Sequence, residues 1–488
     1  MAFFHGVKTT QVPTALLPPA QLSASLCVAF GCAPIHRVDA EQRAKVKPGG
    51  LALIFREDEA GQQLGISYKY DDFDKWGLSE VVYSHFALFG VGPLVMVNLF
   101  DPDIHFKSVT PETVTIAAGT GQLANTDVFP GTLELTPVGG GLAYIEGTDF
   151  AFNPITGLIT LLDGGSMPTS GTVSAHYKYA DPGMVTALDC IGGFDIITGI
   201  TTGLSLIDQV FPRFRMVPGI IVAPGFSEDP SVAMIMAAKC SGINGVFQCV
   251  AFADIPSDGT GAVKRYTDVP AHKVNNNLVS EDLYLCWPKV KMGDRIMHMS
   301  VQAAGIMAQV DGDHDDIPYA SPSNKNLQAT ASVVDGEEIW QDLQQANYLN
   351  ANGIATGLNF VGGWKLWGNR TACYPDVTDP KDTWLPFRRM MAWYGNRLVL
   401  TWWQRVDWPI TRRLVQTIVN SETINLNSMV AIGALLGGRI EFRDDENSVL
   451  DLMDGKITFH VFLGLPAPAE QIIFKLEYDP AYLQNLFS

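Results

Sequence analysis

The chain reads as an α/β core, a mixed sheet with helices on both faces. An inserted all-β sandwich interrupts that core, an α+β C-terminal domain follows it, and extended N- and C-terminal arms flank the whole. Three observations predict this. Continuous apolar runs such as Gly219–Ala223 and Leu283–Trp287 alternate with helix-length segments, as in a parallel sheet covered on both faces. Between residues 104 and 181 this texture gives way to short strand-like runs at roughly ten-residue spacing, the rhythm of a small β domain. At the two ends, period-two segments stand apart from the body beside prolines.

The totals set bounds. At 488 residues there is room for several domains, and 47% hydrophobic against 17% charged residues suits a subunit that hides surface in an assembly. A net charge of −18 argues against nucleic acid or an anionic membrane as partner for the whole surface. The charge is uneven. Residues 356–488 hold 13 basic against 14 acidic residues, and the stretch 384–420 holds six arginines and one aspartate. The seven cysteines form no CxxC pair and sit mostly in apolar runs, which favours buried thiols over a zinc site or disulfides. No basic region leads into an apolar core at the N-terminus, so no signal peptide is expected. Val81–Phe100 lacks Lys, Arg, Asp and Glu, but Gly90-Val91-Gly92-Pro93 cuts it into a helix (80–89) and a strand (94–100). Each piece is too short for a bilayer, and no membrane insertion is expected.

Taken in order, residues 1–20 form the N-terminal arm. Val7, Thr9 and Gln11 alternate with Lys8, Thr10 and Val12, and Pro13, Pro18 and Pro19 separate this strand from the body. Such a strand is either disordered or paired with another chain. Residues 21–103 are the first part of the core, with a buried strand inside 25–34. Residues 104–181 are the inserted sandwich, with strands at Thr113–Ile116, Thr132–Leu135, Ala143–Glu146, Leu158–Leu161 and Val173–Tyr179. Residues 182–351 resume the core. They read as strand 219–223, helix 230–241, strand 246–252, a loop over 257–277, strand 283–287, helix 301–310 and a solvated acidic turn at 311–316. Residues 352–479 are the C-terminal domain, with two helices and strands at Arg439–Arg443, Lys456–Leu463 and Gln471–Tyr478. In the last strand Ile472, Phe474, Leu476 and Tyr478 alternate with Ile473, Lys475 and Glu477. In the first helix Phe387, Met390, Met391, Tyr394, Leu398 and Trp402 share a face, with Arg389 and Asn396 opposite. The second opens at Pro409, buries Ile410, Leu414 and Ile418, and turns Arg412, Arg413 and Gln416 outward. Residues 480–488 are a tail.

Few patterns carry chemistry. Gly225-Phe226-Ser227-Glu228-Asp229 lies at a strand-to-helix turn, where a hydrolase nucleophile elbow would read G-x-S-x-G. Asp229 replaces the final glycine, and a carboxylate there would oppose a developing oxyanion. A helix cap by Ser227 or Asp229, with Pro230 in the first turn, is the better reading. An α/β hydrolase-like enzyme with Ser227 as nucleophile stays the alternative. Asp311-Gly312-Asp313-His314-Asp315-Asp316 fails the calcium-loop pattern, with Asp316 and Pro322 where glycine and glutamate belong. Gly-rich phosphate loops and HExxH are absent, so no cofactor, metal or catalytic residue is expected. The arginine face of Arg389, Arg412 and Arg413 is the feature weighted towards function.

On these residues the chain resembles the tail sheath proteins of contractile phages and related contractile injection systems. HGVKTTQV before a strand ending in GCAP is similar to the family's arm and first core strand. YIEGTDFAFNPITGLITLL with VSAHYKYADP is similar to its inserted β domain, and GIIVAPGFSEDPSV with VAFADIP to its central core. LNANGIATGLNFVGGWKLWGNRT and LPAPAEQIIFKLEYDP resemble its C-terminal domain; the acidic DGDHDD departs from the family's short turn. The resemblance implies a non-enzymatic mechanical subunit of a virion tail or injection particle, assembled in the host cytoplasm. Such subunits form a helical homo-oligomer of stacked hexameric rings around an inner tube protein, joined to baseplate and tail terminator proteins. On this reading Val7, Thr9, Gln11, Ile472, Phe474, Leu476 and Tyr478 pair between subunits, and Arg389, Arg412 and Arg413 face the tube.

Overall fold

The computed structural model describes residues 22–480 and Tyr482. Its centre is a nine-stranded mixed sheet. In chain order the strands are β1 (Cys27–Gly31), β2 (Ala52–Ile54), β3 (Leu94–Asn98), β4 (Ile220–Val222), β5 (Val250–Asp254), β6 (Leu283–Cys286), β7 (Lys325–Asn326), β8 (Ile354–Asn359) and β9 (Trp364–Trp367). Across the sheet the order is β7-β9-β8-β6-β5-β4-β1-β3-β2. Strands β3, β1, β4, β5, β6 and β8 run parallel, while β2 and β9 join antiparallel. Every residue of β1, β3, β4, β5 and β6 is buried. Both sheet faces are therefore covered, which is why these strands show runs of apolar residues and not alternation. Each fully buried Val, Leu, Ile or Phe contributes about 1.5–3 kcal/mol relative to exposure. The helices α1 (Gly77–Val82), α2 (Pro230–Cys240) and α3 (Met299–Gly312) pack against this sheet. Among the described residues no helix is long and apolar enough to cross a membrane.

Between β3 and β4 lies a second, six-stranded antiparallel sheet. Its strands are Phe106–Ala117, Thr120–Gln122, Glu134–Pro137, Phe150–Asn153, Leu158–Leu161 and Gly171–Ala180. The expectation of a sandwich is corrected here, because the strands form one continuous ladder. Leu135 and Phe150 sit on strands at opposite ends of that ladder yet share one small core with Val114, Ile116, Ile159 and Val173. The sheet curls over itself to bury a single face. Ala143–Glu146 is not a strand; Tyr144 makes only an isolated bridge to Leu135.

Asp127 moors this unit to the core. It accepts from Lys75 Nζ at 2.7 Å and Trp76 Nε1 at 3.1 Å, and it pairs with Arg37. Burial works to raise its pKa, but Arg37 and Lys75 outweigh that and hold the carboxyl below its usual range.

The C-terminal part adds α4 (Leu385–Trp402), α5 (Arg412–Ala431) and a hairpin, β10 (Gly437–Glu441) and β11 (His460–Gly464). The hairpin is antiparallel, registered from Gly437 opposite Gly464 to Glu441 opposite His460. Met390, Trp393 and Tyr394 of α4, Leu426 and Met429 of α5, and Ile440 of β10 make a separate small core.

Four sequence expectations change. Residues 354–367, read as opening a C-terminal domain, are β8 and β9 of the main sheet, with β8 parallel to β6. The α5 helix begins at Arg412 and not at Pro409, because the Thr411 hydroxyl caps it by accepting from Leu414 N at 3.2 Å. The expected loop 257–277 contains a helix, Val269–Asn275, whose Lys273 turns inward to two carbonyls. Gln471–Tyr478 has no strand partner in the described chain.

Candidate assembly interface

The arginine-rich stretch divides into spent and free cations. Arg388 makes paired hydrogen bonds to Asp282 at 2.7 and 3.0 Å. Arg397 reaches Glu422 across the α4–α5 contact at 3.1 Å. Arg389, read from the sequence as outward and tube-facing, is corrected: it is 3% exposed. Its guanidinium donates to both carboxylate oxygens of Asp311 at 2.9 and 2.6 Å and to the Ala24 carbonyl at 3.0 Å. Asp311 is equally buried, so the acidic turn at 311–316 is not wholly solvated. Asn396, placed on the same outward face, is buried and bonds the backbone of Gln248 in both directions. Arg412 and Arg413 are exposed, as their spacing predicts. Beside them in sequence, the turn after α4 exposes Trp403, Val406 and Trp408, with Arg405 stacked 4.0 Å from the Trp408 ring. This basic and aromatic turn is the surface that the arginine count pointed to.

The two ends give the second feature. Val7, Thr9 and Gln11 lie outside the described residues. Ile472, Phe474, Leu476 and Tyr478 are 70%, 84%, 96% and 78% exposed. Four large apolar side chains in a row of eight residues, without a ladder partner among the described residues, are a strong departure from a solvated tail. The segment departs from a fixed point. Glu470 accepts from Arg370 Nε and Nη2 at 3.2 and 2.8 Å, and the Arg370 guanidinium lies 3.4 Å from the Trp384 ring centre. The nearby β10–β11 hairpin has no further strand on either side among the described residues, leaving two edges of unpaired backbone groups. The sequence gives the alternation of the last strand but no sign of the Arg370–Glu470 pair, whose members are a hundred positions apart.

The enzymatic alternative meets a different geometry. Asp229 caps α2, accepting from Ser231 N at 2.8 Å. Ser227 is 1% exposed, and its Oγ accepts from the Asp254 amide at 3.2 Å. Near it His298, two residues before Ser300, donates Nδ1 to Glu80 at 2.8 Å, and its backbone N–H donates to the same carboxylate at 2.6 Å. Glu228 and Lys289 complete a closed polar cluster at the carboxyl ends of β4 and β5. Burial alone would lower the His298 pKa, but the Glu80 charge and hydrogen bond raise it to about 9, and burial raises Glu80 as well. The folded chain thus holds protons here more tightly than the unfolded one. The stabilisation is complete below the unfolded histidine value of about 6.5 and fades as pH rises towards 9. Thermal midpoints of the parent are expected to fall between pH 6.5 and 9.5, and those of His298→Gln to fall less; parallel profiles would contradict this.

No family model matches this sequence. The chain is 29% identical over 494 residues to the tail sheath protein of Burkholderia phage BcepMu, covering 99% of this chain and 98% of that one. It is 28% identical over 327 residues to the putative prophage major tail sheath protein of Pseudomonas aeruginosa strain UCBPP-PA14, covering 64% of this chain and 78% of that one. Among solved structures, the sheath complex of the extracellular contractile injection system PVC in its contracted state matches with TM-score 0.58 and 13% identity, covering 99% of both chains. The contracted helical sheath of the anti-feeding prophage gives 0.56 and 15%, covering 97% of this chain and 99% of that one. The baseplate of the same particle contains a chain matching at 0.55 and 14%, covering 98% of this chain and 100% of that one. The body therefore has the fold of contractile sheath proteins. In sequence, too, the chain is similar to proteins named tail sheath proteins, one of them along nearly its whole length.

Proposed function

We propose that this subunit polymerises helically, as stacked hexameric rings around an inner tube, and that its contraction drives the tube through a target cell envelope. The observation that carries this reading is the exposed alternating segment 471–478 beside a hairpin whose two edges are unpaired among the described residues. An isolated strand and an open edge satisfy one another's backbone groups, so pairing between copies removes two costs at once. Because donor and acceptor surfaces differ, the contact is head-to-tail and propagates into a filament. On this reading residues 7–12 make the matching contact at the other end. One end of the assembly meets a baseplate, the other a tail terminator, and subunits gather in the host cytoplasm. The function is mechanical and non-enzymatic: Ser227 is buried and the turn that carries it is a helix cap. Deleting residues 1–20 is expected to leave a soluble monomer with the parental fold. Sheath-like tubes at parental yield in negative-stain images would contradict that.

Arg412 and Arg413, with the exposed Trp403 and Trp408, form the tube-facing patch in this proposal. Exposed ion pairs contribute about 0–1 kcal/mol each, so such contacts hold collectively and release on contraction. Reversing both charges (R412E with R413E) is expected to reduce co-sedimentation with tubes several-fold and to spare sheath self-assembly. Equal loss of both would show that the patch lies between sheath subunits.

A further inference from the structure

Both ends of the described body are held on the same helix. The N-terminal root is the backbone at Leu22 and Ala24. Trp393 Nε1 donates to the Leu22 carbonyl at 3.1 Å and Arg389 to the Ala24 carbonyl at 3.0 Å. Residues 389 and 393 are one turn apart, so the two donors project from one face of α4. Gly219 packs so closely here that an added Cβ would lie 2.0 Å from the Ala24 oxygen. At the other end, Glu470 is held by Arg370, which stacks on Trp384, the residue immediately before α4. Arg370 and Trp384 also form a backbone bridge, and Leu385 N donates to the Asn369 carbonyl at 2.9 Å. The two anchor points, Trp384 just before α4 and Trp393 within it, are nine residues apart, roughly 14 Å. Leu22, Ala24 and Leu465 all pack on the small core that α4 shares with α5. Neither anchor uses a strand of the nine-stranded sheet.

We propose that α4 is a crossbar that passes tension directly from one terminal segment to the other, so that a pull on both ends bypasses the main sheet. This rests on the proposed linkage of subunits through their ends, and it adds the internal path that such linkage needs. A filament whose subunits are joined end to end transmits force through each subunit between its two attachment points. If that path ran through β1 and its parallel neighbours, the sheet would be sheared at each step. With roots 14 Å apart along a helix, roughly, the sheet moves as a passenger.

The test pulls the full-length chain between handles at residues 1 and 488 in an optical trap. Glu470→Gln removes the charge that Arg370 grips at a half-exposed site, and Trp393→Phe removes one donor while keeping an aromatic ring. Circular dichroism and unchanged exchange protection of the β5 amides establish that each variant folds. Glu470→Gln is expected to add an early step of roughly 20 Å, the length of residues 465–470 drawn straight, below the force of the parent's first unfolding event. Trp393→Phe is expected to add a similar early step from residues 22–26. Traces in which both variants match the parent in the force and length of the first event would overturn the crossbar. Because single chains are pulled, this outcome is independent of whether sheaths form; imaging of the same variants reports separately on assembly.

Discussion

A chain ending at Glu470 is expected to fold as the parent does and to form no polymer. The large apolar side chains it lacks among the described residues face solvent. Ile472, Phe474, Leu476 and Tyr478 are at least 70% exposed, and the contact of Arg370 with Glu470 survives the cut. On the proposed linkage, what is lost is the donor strand. Burying four such side chains on a neighbour would contribute about 1.5–3 kcal/mol each before the ordering cost, in addition to the ladder itself. Multiplied along a filament, that loss abolishes assembly and does not merely weaken it. Thermal melting should match the parent, and sedimentation velocity should show monomer at concentrations where the parent forms tubes. Tubes from the truncated chain would place the linkage elsewhere.

Arg389→Met is expected to destabilise the fold by about 3–5 kcal/mol, the cost of leaving one member of a buried ion pair without its partner. Asp311 is fully buried, and Arg389 alone satisfies both its oxygens from a side chain. Burial pushes the Asp311 pKa up even with Arg389 present, so without the guanidinium the carboxyl is neutralised or expelled. The same substitution frees the Ala24 carbonyl. Pairing it with Asp311→Leu should recover much of the loss, because an apolar pair of similar volume packs where the ions sat. Denaturant unfolding of the two single variants and the double variant checks this. A single variant within about 1 kcal/mol of the parent would mean that the pair is solvated in solution.

These two cases mark what the sequence could and could not reveal. The strands β1, β4 and β6 were legible because burial on both faces writes itself as an unbroken apolar run, whereas β5 was expected too early, at 246–252 instead of Val250–Asp254. The Asp229 cap followed from Pro230 and a carboxylate just before a helix. Arg389 was misread because a helical projection shows only which side a residue takes, and polar residues opposite an apolar stripe read as solvated. Its partner lies 78 positions upstream, and no local pattern announces it. The placement of β8 failed for a related reason, since a parallel strand is defined by a neighbour distant in sequence, here β6. The sandwich and the single curled sheet have the same alternation; only the ladder between strands distinguishes them. For the last segment, period two was visible in Ile472, Phe474 and Leu476, but no partner for that strand lies among the described residues.

The most direct measurement is a cryo-EM map of the assembled sheath, traced through residues 465–480. The account predicts that each copy's segment 471–478 leaves its body at Glu470 and lies as an added strand against β10 or β11 of a neighbouring copy, with Ile472, Phe474 and Leu476 covered there. A map in which that segment folds back onto its own subunit, with the hairpin edges of every copy left open, would contradict it.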